Sequence, residues 1–296
     1  MSPLRLLPLA SALITVAFVW LVFRRYASRG GRHLLVWGIG LLLFGTASLA
    51  EAVAASVWHP MVFRLWYLAG AGLSAAWIGQ GTVYLLAGVR LPNVLLSLVL
   101  GYTAAAALFL LLARIGLGVA IAGVLIAFHG PIFAGLFHRL VVRRWDPLRL
   151  TGVLTGLLLA GSLFATAVIL ATPVDGSRFD PDRPLSAQYR EILPPGAAVR
   201  KLTPAFNIYG TITLVGGALY SAWLLGRREV PAPRVAGNVL IAAGAFVIAS
   251  ASAMVRLGIG DFLYAAEAVA AALMFGGFLL ATGAAPATSS AEAARA

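Results

Sequence analysis

The sequence predicts an all-α fold: a polytopic bundle of about nine membrane-spanning helices, with eight as the alternative count. Three observations carry this. Of 296 residues, 61% are hydrophobic and 11% are charged, against about 45–50% and about 25% in an average soluble domain. Mean hydropathy is +0.93. The apolar residues fall in separate long runs, each near the ~20 residues a helix needs to cross a ~30 Å hydrocarbon core. These are continuous runs rather than ten-residue alternating segments, which excludes a β-barrel. Composition also excludes a soluble enzyme, a disordered chain and a fibrous protein.

In chain order the runs are 4–23, 34–56, 62–87, 93–113, 117–137, 150–172, 205–225, 236–256 and 260–282. The first is followed by Arg24 and Arg25 and has no small-residue cleavage site. A signal peptide would carry its charge in front, so this run reads as a spanning helix. The fourth and fifth are parted only by Arg114 and a short glycine-containing turn. One helix over 93–137 would be about 67 Å long, twice the core thickness, so two helices are expected. The 173–203 segment carries Pro173, Pro181, Pro184, Pro194 and Pro195, which bars regular helix over most of it. The run 186–193 is expected to form a short helix. A plain extracytoplasmic connector is the first reading of this loop, and a lid or partner surface the second. The expected organisation is one transmembrane domain over 1–282 and a disordered cytoplasmic tail over 283–296, too short for a kinase or other output domain.

Charge placement sets orientation. Thirteen basic residues fall in alternate loops, including the dense groups Arg24, Arg25, Arg29, Arg32 and Arg139, Arg143, Arg144, Arg149. Nine fall in the other set, five of them in the 173–203 loop. The first set is assigned to the cytoplasm, with the N-terminus outside, the C-terminus inside and a bacterial inner membrane as the setting. The net charge of +12 therefore reads as a topology signal and predicts no nucleic-acid partner. The expected partners are the lipid bilayer and a small-molecule ligand, with any protein partner unknown. There are no cysteines, so disulfides, thiolate metal sites and iron–sulfur ligation are excluded.

Ionisable groups inside spanning helices are costly and mark interiors or water cavities. Glu51, Arg64, Arg256, Asp261 and Glu267 all fall toward the outer side, with His59, Asn207 and Tyr209 at the same level. Pairs Glu51–Arg64 and Glu267–Arg256 are expected there, forming either a ligand-binding site or charge-paired packing. The hexapeptide Ala-Glu-Ala-Val-Ala-Ala occurs at 50–55 and again at 266–271, in helices expected to run in opposite directions. Inverted repeats occur in many transporters, but six residues of an alanine-rich chain also repeat by chance.

A second group is His129, Gly130 and Pro131, a helix break or relay inside the fifth run. Gln80 is placed at the depth of His129, and a Gln80–His129 hydrogen bond is expected. No cofactor and no metal site are expected. A haem on His129 would want a second ligand, and His138 lies nine residues on, on a different turn. No phosphate loop, zinc-protease motif or nucleophile elbow is present. The sequence favours a small transporter, permease or ligand-binding bundle with an outward polar site. The alternatives are a membrane enzyme or haem- or quinone-linked subunit using His129, and a non-catalytic assembly or sensing module docking through 173–203. Catalysis is not the favoured reading.

Overall fold

The protein is described by a computed structural model, in which residues 3–89, 91–113, 119–227, 231–256 and 262–283 are described. Among these there is no strand. The helices are α1 (Pro3–Arg29), α2 (Arg32–Ala54), α3 (Pro60–Leu85), α4 (Leu91–Ala113), α5 (Val119–Leu140), α6 (Pro147–Ala171), a short α7 (Leu185–Ile192), α8 (Ala198–Gly226), α9 (Ala232–Arg256) and α10 (Leu263–Gly283). Among the described residues, seven are long and apolar enough to cross a membrane: α1, α2, α3, α6, α8, α9 and α10. The tail after 283, like residues 114–118, lies outside the described residues.

The chain divides into two compact units, Met1–Thr82 with Leu158–Ala296, and Val83–Leu157. In the smaller unit α4 packs on α5. Ser97 Oγ lies 3.1 Å from His138 Nδ1, and Asn93 Nδ2 donates to the carbonyls of Val142 and Trp145 at 2.8 and 3.0 Å. Ser97 and His138 would be some 60 Å apart on one straight helix, so the chain reverses between them as the length argument required.

The larger unit is a ring. α1 packs on α2 and α10, α10 on α9, α9 on α8, α8 on α3, and α3 on α2. The α1–α2 reversal is made by Gly30 and Gly31, with φ of 65° and 104°, a region open to glycine at little cost. α3 opens with Pro60 at its first turn, where a missing N–H costs nothing. His59 Nδ1 accepts the Met61 N–H there at 3.2 Å. Inside the ring, Phe18, Leu41, Ile78, Leu214, Ala270 and Phe278 form a buried apolar cluster. Trp77, which sits mid-helix rather than at a headgroup level, donates its indole N–H to Ser162 Oγ at 3.1 Å.

The segment 173–203 is not a loose connector. Leu185, Ile192, Leu193 and Val199 bury with Phe63, Trp66 and Tyr67 of α3 and Ala47, Ala50 and Ala54 of α2. Trp58 stacks on Phe179 with ring centres 4.8 Å apart. Gln188, fully buried, accepts the Asp180 N–H and donates to the carbonyls of Asp180 and Arg183, folding the proline-rich turn onto α7. Arg183 and Glu191 form a two-point ion pair at 3.2 and 2.9 Å. The result is a cap over one end of the ring, with proline supplying turns and apolar side chains supplying the grip.

Candidate functional site

Both helices that descend from the cap side by side, α3 and α8, are widened by a π-helical segment, at Tyr67–Ser74 and at Ile212–Gly216. They run parallel. Tyr67 Oη lies 3.2 Å from Thr203 Oγ1. Asn207 Nδ2 donates to the Ala71 carbonyl at 2.9 Å. Gly210 abuts the backbone of Ala75 and Ala76, and Gly79 abuts Thr213. Tyr209 donates its hydroxyl to Gln80 Oε1. A π-helical turn is out of step with the i→i−4 ladder; here Asn207 reaches across to the Ala71 carbonyl in the middle of it. Thr213 Oγ1 donates to the Tyr209 carbonyl at 2.7 Å, a back-bond of the kind that bends helices.

Beside this seam, beneath the cap, is a cavity of about 600 Å³. That is within the 300–1,000 Å³ of small-molecule sites. Its wall is largely apolar: Phe44, Ala47, Ile78, Ala245, Ile248 and Met274 contribute from α2, α3, α9 and α10. Polar groups enter at few places. The seam brings Thr203 and Asn207, α10 brings Glu267, and the cap region brings Ser186, Tyr189, Arg190 and Arg200. Ser186 Oγ and Glu267 Oε2 are buried and hydrogen-bonded to nothing in the protein. Buried polar atoms are nearly always partnered, so two orphans on a cavity wall mark where a bound molecule or water belongs. Arg200 donates to the Pro194 carbonyl at 3.3 Å; exposed Arg190 donates to Tyr189 Oη at 3.2 Å.

No family model, no curated protein and no solved structure matches this chain. The site therefore rests on its own geometry.

Several expected site residues are brought together and others are not. Asn207 and Glu267 line the cavity, and Tyr209 with Gln80 anchors the seam below it. The Glu51–Arg64 pair does not form. Arg64 Nη2 donates instead to the Thr172 carbonyl at 3.1 Å, at the end of α6, and its Nε is buried without a partner. Glu51, 2% exposed, faces Glu267 and the hydroxyl of Tyr264. Neither Glu51 oxygen meets hydrogen-bond geometry with either group. The reason is helix order: α10 passes α2 on the α1 side of the ring, and α6 offers Arg64 an uncapped terminal carbonyl. Asp261 and the Arg256 side chain, and with them the Glu267–Arg256 pair, lie outside the described residues.

His59 is an exposed helix cap rather than a ligand-facing group. Gln80 Oε1 accepts the hydroxyl of Tyr209. His129, in the smaller unit, donates Nδ1–H to the Leu125 carbonyl at 2.9 Å. Pro131 follows buried Gly130 inside an unbroken helix. Among the described residues no group of three His, Cys, Asp or Glu side chains is placed to hold a metal.

The sequence reasoning missed Ser186, Tyr189, Arg190, Arg200, Thr203 and Tyr264. Their signal was present in part: 198–211 is strongly amphipathic, polar and apolar residues alternating with helical period. That pattern shows that α8 begins seven residues before the uniformly apolar run does.

Outside the spans, the cap's charges are tuned locally. Hydrogen bonds from Ser177 side chain and backbone hold the Asp175 carboxyl below its ordinary range. The Arg183 guanidinium does the same for Glu191 and is itself raised by that partner. All three are solvent-exposed, so screening keeps these effects small.

Proposed function

We propose that the protein is a nine-span membrane protein, N-terminus outside and C-terminus cytoplasmic, set in a bacterial inner membrane, that binds and transfers a small amphiphile with an anionic end. The observation that carries this is the cavity beneath the cap: about 600 Å³, mostly apolar, with Arg190 and Arg200 among its lining residues. Apolar walls favour an apolar body by removing it from water, at roughly 25 cal/mol per Å². Two guanidiniums and an orphaned serine hydroxyl offer donors to a carboxylate or phosphate. The two π-helical segments bordering the site supply a seam that can alter its turn without losing hydrogen bonds, which suits passage as well as binding. The cap is part of the binding site in this reading, since its own apolar side chains are committed to the ring rather than left for a separate partner.

The test is titration of the purified full-length protein in neutral detergent with dodecyl phosphate and with dodecanol, read by tryptophan fluorescence. The phosphate is expected to bind more tightly. Arg200→Ala is expected to weaken it roughly tenfold, the worth of one charge-assisted hydrogen bond, and to leave dodecanol unchanged. Ala249→Trp, which places an indole in the cavity from α9, is expected to abolish both. Unaltered binding in the Trp variant would remove the cavity as the site.

A further inference from the structure

The amphiphile reading leaves one feature unused. Glu51 and Glu267 occupy the same place in the repeated hexapeptide, at 50–55 and 266–271, and the fold turns the two carboxyls toward each other. Glu51 is 2% exposed. Both of its oxygens and Oε2 of Glu267 are buried without a hydrogen bond. Among the described residues neither glutamate has an ion-pair partner.

We propose that Glu51 and Glu267 together hold one monovalent cation, a proton or a sodium ion, at the wall of the cavity. Two facing buried carboxylates without a cation repel and are poorly solvated; one positive charge halves the charge of the pair and gives the orphaned oxygens a partner. The donor set suits a single charge. It consists of two carboxyls and the Tyr264 hydroxyl, too few anionic ligands for a dry calcium-type cage. Glu267 lines the cavity, which gives the ion a route from water.

Among the described residues, which leave out Asp261 and the Arg256 side chain, the charged and titratable surroundings leave the place open. Tyr264 flanks the pair from α10. Arg64 on α3 is turned to Thr172. Ser11 of α1 and Ser48 of α2 are neutral and engaged with each other at 3.4 Å. Arg200 lines the same cavity, and among the described residues no ion pair joins it to either glutamate; it donates to the Pro194 carbonyl. Tyr264 also ties the site to the cap, because its Oη accepts the N–H of Leu185, the first residue of α7, at 3.2 Å. Filling or emptying the site thus acts one hydrogen bond away from the cap.

The inference relies on the cavity for access but not on the amphiphile, and its test is run without amphiphile. Thermal unfolding of the full-length protein in neutral detergent is followed from pH 6 to 8.5 in choline chloride, then in sodium chloride at equal ionic strength. This range lies above that of ordinary carboxyls, so exposed ones contribute nothing. If the cation is sodium, the melting temperature rises by roughly 5 °C at pH 8.5 on exchanging choline for sodium. If it is a proton, the same rise appears on acidification and sodium has no effect. Glu51→Gln and Glu267→Gln, which supply an amide donor in place of the ion, are each expected to flatten the dependence at the occupied level. Should a variant fail to fold, infrared spectra of the wild type serve: the carboxyl bands shift with sodium or with pH within that window. A wild type insensitive to both, carboxyl bands that stay fixed throughout, or glutamine variants that retain the full dependence would overturn the site. None of these outcomes bears on dodecyl phosphate binding, so the two readings fail separately.

Discussion

The α3–α8 seam and the α9–α10 hairpin are built from the same small residues and do opposite things with them. In the hairpin, glycine lets two antiparallel backbones touch. A Cβ at Gly237 would lie 2.5 Å from the Gly277 carbonyl oxygen, and one at Gly244 would lie 2.8 Å from that of Ala270. The contact is uniform, apolar and made between neighbours in sequence, the usual way helices associate where lipid competes for every greasy surface. In the seam, Gly79 and Gly210 also admit close approach, yet what they admit is polar: Thr213, Asn207 and the Tyr209–Gln80 pair. Close packing without polar groups makes a wall. Close packing that frees and recaptures backbone carbonyls makes a wall beside which a cavity stays open.

That contrast can be broken in order of expected effect. The largest falls in the hairpin. Gly277→Ala places a methyl 2.6 Å from the Gly237 carbonyl oxygen, against backbone with no rotamer to yield, and is expected to cost about 2–3 kcal/mol. Its neighbour Gly276 meets nothing within 4 Å, so Gly276→Ala should stay within about 0.5 kcal/mol. Melting temperatures of the two variants decide whether glycine position, rather than glycine content, holds the hairpin. Next comes the seam, where Gln80→Leu strips the acceptor from Tyr209. The expected loss is about 1–2 kcal/mol, accompanied by weaker dodecyl phosphate binding, which Gly277→Ala need not show at temperatures where it stays folded. A seam variant that alters stability alone would reduce the seam to plain packing.

The smallest effect is in the cap. Asp175 and Glu191 both titrate below their ordinary range when folded. The stability they contribute is therefore present above the unfolded pKa and is lost as pH falls through the lowered one. Amide exchange across 175–193, after correction for intrinsic rates, is expected to gain little protection above about pH 5 and to lose it toward pH 3. Glu191→Gln should flatten part of that fall.

Much of the helical layout was legible in the residues. Each apolar run overlaps a helix, because bilayer thickness sets a length that composition alone reveals. Trp77, a polar-tipped aromatic in the middle of an apolar run, makes a buried polar contact with Ser162. What escaped was whatever depends on neighbours. Arg64 has two acceptors compatible with its level, a carboxylate and a helix-terminal carbonyl, and only helix order chooses between them. The π-helical segments leave no periodic trace, since eight and five residues are too few to shift an apolar pattern already apolar all round. The cap was read as connector because prolines dominate its sequence, whereas Leu185, Ile192 and Leu193 dominate its burial. The two glutamates were found, but the repeated hexapeptide could not say that its copies would meet.

The pairings across the seam join residues 129 to 136 positions apart, whereas the hairpin contacts at Gly237–Gly277 and Gly244–Ala270 join residues 40 and 26 apart. Loop closure grows costlier with separation and slows assembly. During synthesis α3 must therefore wait, with the carbonyl of Ala71 uncovered, through the entire production of α4, α5, α6 and the cap before α8 arrives. α9 and α10 close on each other almost at once. The seam that borders the cavity forms only when α8 arrives, so a chain halted before Tyr209 would hold a half-built site and an unmet polar edge. That edge is a natural point for quality control in the membrane to recognise.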